Sequence, residues 1–60
     1  MITVRQVHPS GALELSAMVR QFPSREVWLE RKAYYDYTKQ EARKLFIQYL
    51  NDNKLSLVND

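Results

Sequence analysis

The spacing of apolar residues changes once along the chain, from every second position up to about Tyr37 to every third or fourth from Thr38 onward. Alternation in twos is the mark of a half-buried strand and spacing in three-and-fours that of an amphipathic helix, so strands come first and a helix follows. Residues 1–7 place Ile2 and Val4 on one face and Thr3, Arg5 and Val7 on the other, with β-branched side chains throughout, which favours a strand. His8-Pro9-Ser10-Gly11 then offers a fixed φ at the second position and a residue tolerant of positive φ at the fourth, which suits a type I turn running into a bulge. A hairpin follows. Its second arm, 12–20, sets Leu13, Leu15, Ala17 and Val19 against Ala12, Glu14, Ser16, Met18 and Arg20.

The next break is Gln21-Phe22-Pro23-Ser24, because Pro23 has no amide to donate and drives Phe22 out of helical geometry. A third strand is expected over 26–36, bent or frayed at one end because it is long. One of its faces carries Val27, Leu29, Arg31, Ala33, Tyr35 and Tyr37, and the other Trp28, Glu30, Lys32, Tyr34 and Asp36. The first set is the more apolar and is expected to face inward, with Arg31 as its misfit and with Tyr35 and Tyr37 packing the core and the strand-to-helix junction.

Thr38-Lys39-Gln40-Glu41 matches a capping box, in which the Thr hydroxyl meets the Glu amide and the Glu carboxylate reaches back. It predicts a helix over 38–52 that covers the sheet with Ala42, Leu45, Phe46, Tyr49 and Leu50 and ends at Asn51-Asp52-Asn53, where Asn tolerates a left-handed cap. The tail, 54–60, fits a fourth strand, a return segment packed by Leu55 and Leu57, or a loose end. The expected architecture is α+β: a three-stranded antiparallel β-meander with one C-terminal α-helix packed on one face, in a single small domain spanning 1–60 with no repeat or linker.

Composition narrows the function more than it defines it. Sixty residues bury a thin core, and neither a disulfide nor a thiolate zinc site can reinforce it, because the chain has no cysteine and one histidine. The missing bridges favour a cytoplasmic setting. No apolar run exceeds Leu45-Phe46-Ile47, so neither a membrane span nor a signal peptide is expected. Catalytic residues are not expected either. His8 sits beside a proline in a turn, Glu14 and Glu30 fall on an open sheet face, Glu41 is used in capping, and no glycine-rich phosphate loop or metal-ligand spacing occurs. No cofactor is implied.

Two surfaces remain as candidates. Alternation puts Trp28, Met18, Tyr34, Arg20 and Lys32 on the sheet face away from the helix, and Trp, Tyr, Met and Arg are the residue types enriched where proteins meet. That face predicts a non-catalytic interaction or regulatory protein with a protein partner. The alternative is a nucleic-acid-binding module using Arg5, Arg20, Lys32, Lys39, Arg43 and Lys44, the last three crowding a helix start where cations cost about 0.3 to 1 kcal/mol each in the first turn and so suggest an anion to be met. Against it, the expected open face carries three cations and two carboxylates, a dilute patch for phosphate binding. A homodimer is compatible with the free sheet edges, although charged strand residues disfavour edge pairing.

The segment Tyr37-Thr38-Lys39-Gln40-Glu41-Ala42, followed by Phe46, resembles one found in small uncharacterised bacterial proteins, cyanobacterial and phage ones among them, in which strands lead into a Tyr-Thr-Lys-x-Glu-Ala helix. The resemblance spans about a third of the chain. It implies the strands-then-helix order and brings no activity or site residue with it.

Overall fold

A computed structural model describes residues 1–7 and 9–58. Three antiparallel strands, β1 (Thr3–Val7), β2 (Ala12–Gln21) and β3 (Val27–Tyr34), form a meander, followed by helix α1 (Lys39–Asp52) and a short strand β4 (Leu55–Leu57). β2 is the centre of the sheet. It pairs with β3 along one edge, and its other edge is divided between β1, opposite residues 12–16, and β4, opposite residues 19–21. Of the three fates open to the tail, the strand is the one adopted, and Val58 extends it with an amide bond to the Met18 carbonyl at 3.0 Å. The ends of the chain, Asn59 and Asp60, lie outside the described residues, as does His8 of the first turn.

The turn keeps the feature that called for glycine: Gly11 stands at φ +74°, and its amide bonds the Val7 carbonyl at 2.9 Å. At the second break the Phe22–Pro23 peptide is cis. Thr38 caps α1 with both halves of the capping box in place. Its hydroxyl accepts from the Glu41 amide at 3.1 Å, while the Glu41 carboxylate accepts from the Thr38 amide at 3.1 Å. At the other end Asn53 is not the left-handed residue; it sits at φ −98° and donates its side-chain amide to the Tyr49 carbonyl at 2.8 Å, and the left-handed position falls on Lys54, at φ +57°. The Tyr49 carbonyl also accepts from the Asn53 backbone amide at 3.1 Å, so main chain and side chain of the cap residue converge on one carbonyl of the last turn.

The core is one cluster built from Leu13, Leu15, Ala17 and Val19 of β2, Tyr34 of β3, and Ala42, Phe46 and Leu50 of α1, with Ile2, Val4, Trp28, Leu45, Tyr49 and Leu55 packed at its margin. The inward faces expected for β1, β2 and α1 are the ones observed. For β3 the expectation is reversed. Leu13 lies opposite Tyr34, Leu15 opposite Lys32, Ala17 opposite Glu30 and Val19 opposite Trp28, and residues directly opposite in a ladder share a face. The helix side therefore receives Trp28, Glu30, Lys32 and Tyr34, while Val27, Leu29, Arg31 and Ala33 turn outward. Aromatic area explains the choice: a Trp and a Tyr each offer about 150–250 Å² to bury, more than Val, Leu and Ala can. Tyr35 and Tyr37 are exposed rather than core, Tyr37 resting edge-on against Tyr34 with ring centroids 6.2 Å apart.

Phe46 is the largest side chain with no exposure at all. Its replacement, Phe46→Ala, is expected to cost about 3–5 kcal/mol, comparable to the whole stability of a domain this size, whereas Ile47→Ala on the exposed side of the same helix changes stability by less than about 1 kcal/mol. Thermal melts followed by circular dichroism check both.

Candidate partner-binding face

The sheet has one face under α1 and one that no described segment covers. Three strands build the open face in rows: Arg5, Glu14 and Ala33; then Thr3, Ser16 and Arg31; then Met18 and Leu29; then Arg20 and Val27, with Ser56 of β4 beside Arg20. Its first two rows are polar. Arg5 donates to Glu14 at 3.0 Å, an exposed ion pair of the kind worth about 0–1 kcal/mol, and Thr3, Arg5, Glu14, Ser16 and Arg31 line an open hollow of about 260 Å³. The third row is apolar, and in the fourth Val27 adjoins it beside Arg20. Met18, Val27 and Leu29 are 39%, 40% and 44% exposed, and Met18 stands directly opposite Leu29. Counting side chains among the described residues, this face holds three guanidiniums against the single carboxylate of Glu14, a net of +2.

The five residues expected to form the partner surface are divided by the register. Met18 and Arg20 are on the open face. Trp28, Lys32 and Tyr34 are on the helix side, where they belong to a bonded cluster: the Trp28 indole donates to Glu30 at 2.8 Å, the Tyr49 hydroxyl donates to the other Glu30 oxygen, and the Lys32 ammonium sits 4.9 Å from the Tyr49 ring centroid and 5.8 Å from that of Tyr34. These contacts explain how a carboxylate and an ammonium are carried on the covered side: each meets an opposing dipole or a ring face. Tyr34 is buried, its hydroxyl has no partner among the described residues, and burial, then the neighbouring Tyr37, holds its pKa above the ordinary value of 10.0.

The basic set is divided as well. Arg5 and Arg20 lie on the open face, Lys32 on the covered side, and Lys39, Arg43 and Lys44 on α1, across the sheet from the open face. At the helix start Glu41 fills the cap, held below its ordinary carboxyl pKa by the Thr38 amide and hydroxyl and then by Lys44. A second hollow, about 270 Å³, lies beside it, lined by Tyr37, Glu41, Lys44 and Leu45.

The pattern of β3 alone misses Arg31, Leu29 and Val27 as open-face residues. Arg31 is the misfit of the set expected inward, but the opposite set carries Glu30 and Lys32, so charge in the β3 pattern does not by itself choose between the faces. Comparison with known proteins adds nothing to this geometry, since no protein-family model, curated protein or solved structure matches the chain.

The Glu30 cluster gives the fold a pH signature with two limbs. The Tyr49 hydroxyl, and then the Trp28 indole, lower the Glu30 pKa from its ordinary 4.5, so their stabilisation is complete above that value and is lost as pH falls through the lowered one. The same bond to Glu30 raises the Tyr49 pKa above 10.0, so it stabilises below pH 10 and is lost as pH rises through the raised value. Tyr49→Phe is expected to weaken the acid limb of a Tm-versus-pH curve, leaving there the parts due to the Trp28 bond and to Glu41, and to weaken the alkaline limb, leaving there the part due to Tyr34. Trp28→Ala, which removes a half-buried ring and one of the two donors, is expected to lower stability by about 2 kcal/mol in urea denaturation.

Proposed function

We propose that this chain is a small, non-catalytic binding module of the cytoplasm that receives a protein partner on its open sheet face. One observation carries the reading: Met18, Leu29 and Val27 form a contiguous apolar patch on β2 and β3, on a face that no described segment covers. Aliphatic side chains with arginines in the neighbouring rows match the composition of a protein interface, in which apolar contacts are bordered by polar groups. Three of the carboxylates fit a non-catalytic role, because Glu14, Glu30 and Glu41 are each bonded to a structural partner, Arg5, Tyr49 with Trp28, and Thr38.

A second reading, nucleic-acid binding, gains from the same reversal of β3. With Arg31 outward and Glu30 and Lys32 withdrawn, the open face presents Arg5, Arg20 and Arg31 against one carboxylate, a stronger positive field than the alternation of β3 implies. The apolar patch between those arginines suits a protein partner better than a phosphate backbone.

The double substitution Met18→Lys with Leu29→Lys separates binding from folding, since both side chains are already exposed. It is expected to leave the melting temperature within a few degrees and to abolish retention of whatever partner the wild-type chain captures, whereas Ile47→Lys on the far side of α1 retains it. Retention that survives the double substitution and is lost on Ile47→Lys overturns the assignment of the open face.

A further inference from the structure

On the premise that the open face receives a protein, we infer that the partner segment is acidic and apolar in a set pattern: two carboxylates four residues apart in an extended chain, with an apolar side chain midway. The placement, pairing and spacing of two arginines lead there. Arg31 and Arg20 occupy diagonal corners around the Met18–Leu29 row, one row above it on β3 and one row below it on β2. Neither guanidinium makes a hydrogen bond or ion pair among the described residues, while Arg5 is already taken by Glu14. Rows on one face repeat at about 6.6 Å along a strand and neighbouring strands lie about 4.8 Å apart, so the two guanidinium-bearing positions stand about 14 Å apart with the apolar pair between them. An extended segment reading acid–x–apolar–x–acid spans about 13 Å between its acidic positions and presents all three side chains to one side.

Charge selects this occupant over the two competitors. A second copy of the chain would bring the same face with no unpaired carboxylate, setting guanidinium against guanidinium. A nucleic-acid backbone satisfies the arginines and leaves Met18 and Leu29 against its charged strand. An arginine held in a fork over a carboxylate beside a dry apolar contact gives both orientation and affinity, which a surface charge alone does not.

The test uses amide NMR spectra of the labelled 60-residue chain with three probes: a capped peptide Thr-Glu-Thr-Leu-Thr-Glu-Thr, its twin with Gln in place of both Glu, and a mixed-sequence DNA duplex at low and moderate salt. The acidic peptide is expected to shift the amides of residues 16–20 and 27–31 in the millimolar range, with binding about tenfold weaker for the Gln twin and for the Arg20→Gln, Arg31→Gln chain. Equal shifts from both peptides at those amides overturn the charge pattern and leave the open face standing as a binding surface. Shifts confined to other residues, or none from either peptide, overturn the pattern and the face together. Salt-sensitive shifts at the same amides from DNA that exceed those of the acidic peptide overturn the inference in favour of nucleic acid.

Discussion

The pairing of β2 with β3, with Leu13 opposite Tyr34 and Val19 opposite Trp28, is the constraint on which the rest of this structure depends. It decides which half of β3 turns to the helix side of the sheet and which half turns to the open side. A slip of one residue would exchange the two sets entirely, because side chains in a strand alternate with a period of two. In the observed register Tyr34 joins the core and Trp28 packs at its margin, and the charged residues between them are brought to the same side, Glu30 half-buried and Lys32 exposed. Glu30 and Lys32 are tolerated there because Tyr49, reaching from α1, donates to the one and offers a ring face to the other. That single tyrosine thus ties β3 to the helix at the margin of the core.

A chain this short has few ways to enclose a core, and β2 supplies the economy. Its four inward side chains alternate without interruption, and both of its edges are used, the second by two strands placed end to end. β4 completes the edge that β1 is too short to cover, and the helix end is fastened to the same strand by the Gln21 side-chain amide, which donates to the Asn53 carbonyl at 3.3 Å. Capping at Thr38 fixes where α1 begins, so that Ala42, Phe46 and Leu50 arrive over Leu15 and its neighbours in one cluster.

The same register that completes the core creates the candidate interface. By drawing the aromatic residues inward, it leaves on the other side a face of aliphatic side chains and arginines, with one carboxylate among them. The arginines are graded by their surroundings: Arg5 is neutralised by its strand neighbour, whereas Arg20 and Arg31 face solvent beside the apolar pair. The cations of α1 lie across the sheet and contribute to a different surface.

What the sequence determined by itself was local. Strand order, the helix start and its inward stripe, and the inward face of β2 all follow from residues within a few positions of one another: the Thr38–Glu41 box, the 3.6-residue spacing from Ala42 to Leu50, and the unbroken alternation from Leu13 to Val19. The candidate site was legible only in part, through Met18, Arg20 and Arg5. Tertiary structure alone decided the orientation of β3, since each of its faces mixes apolar and charged residues and only the cross-strand register with β2 chooses between them. It also decided the fate of the tail. Three residues, Leu55-Ser56-Leu57, have no preference strong enough to form a strand by themselves, and became one because residues 19–21 of β2 lay unpaired beyond the end of β1.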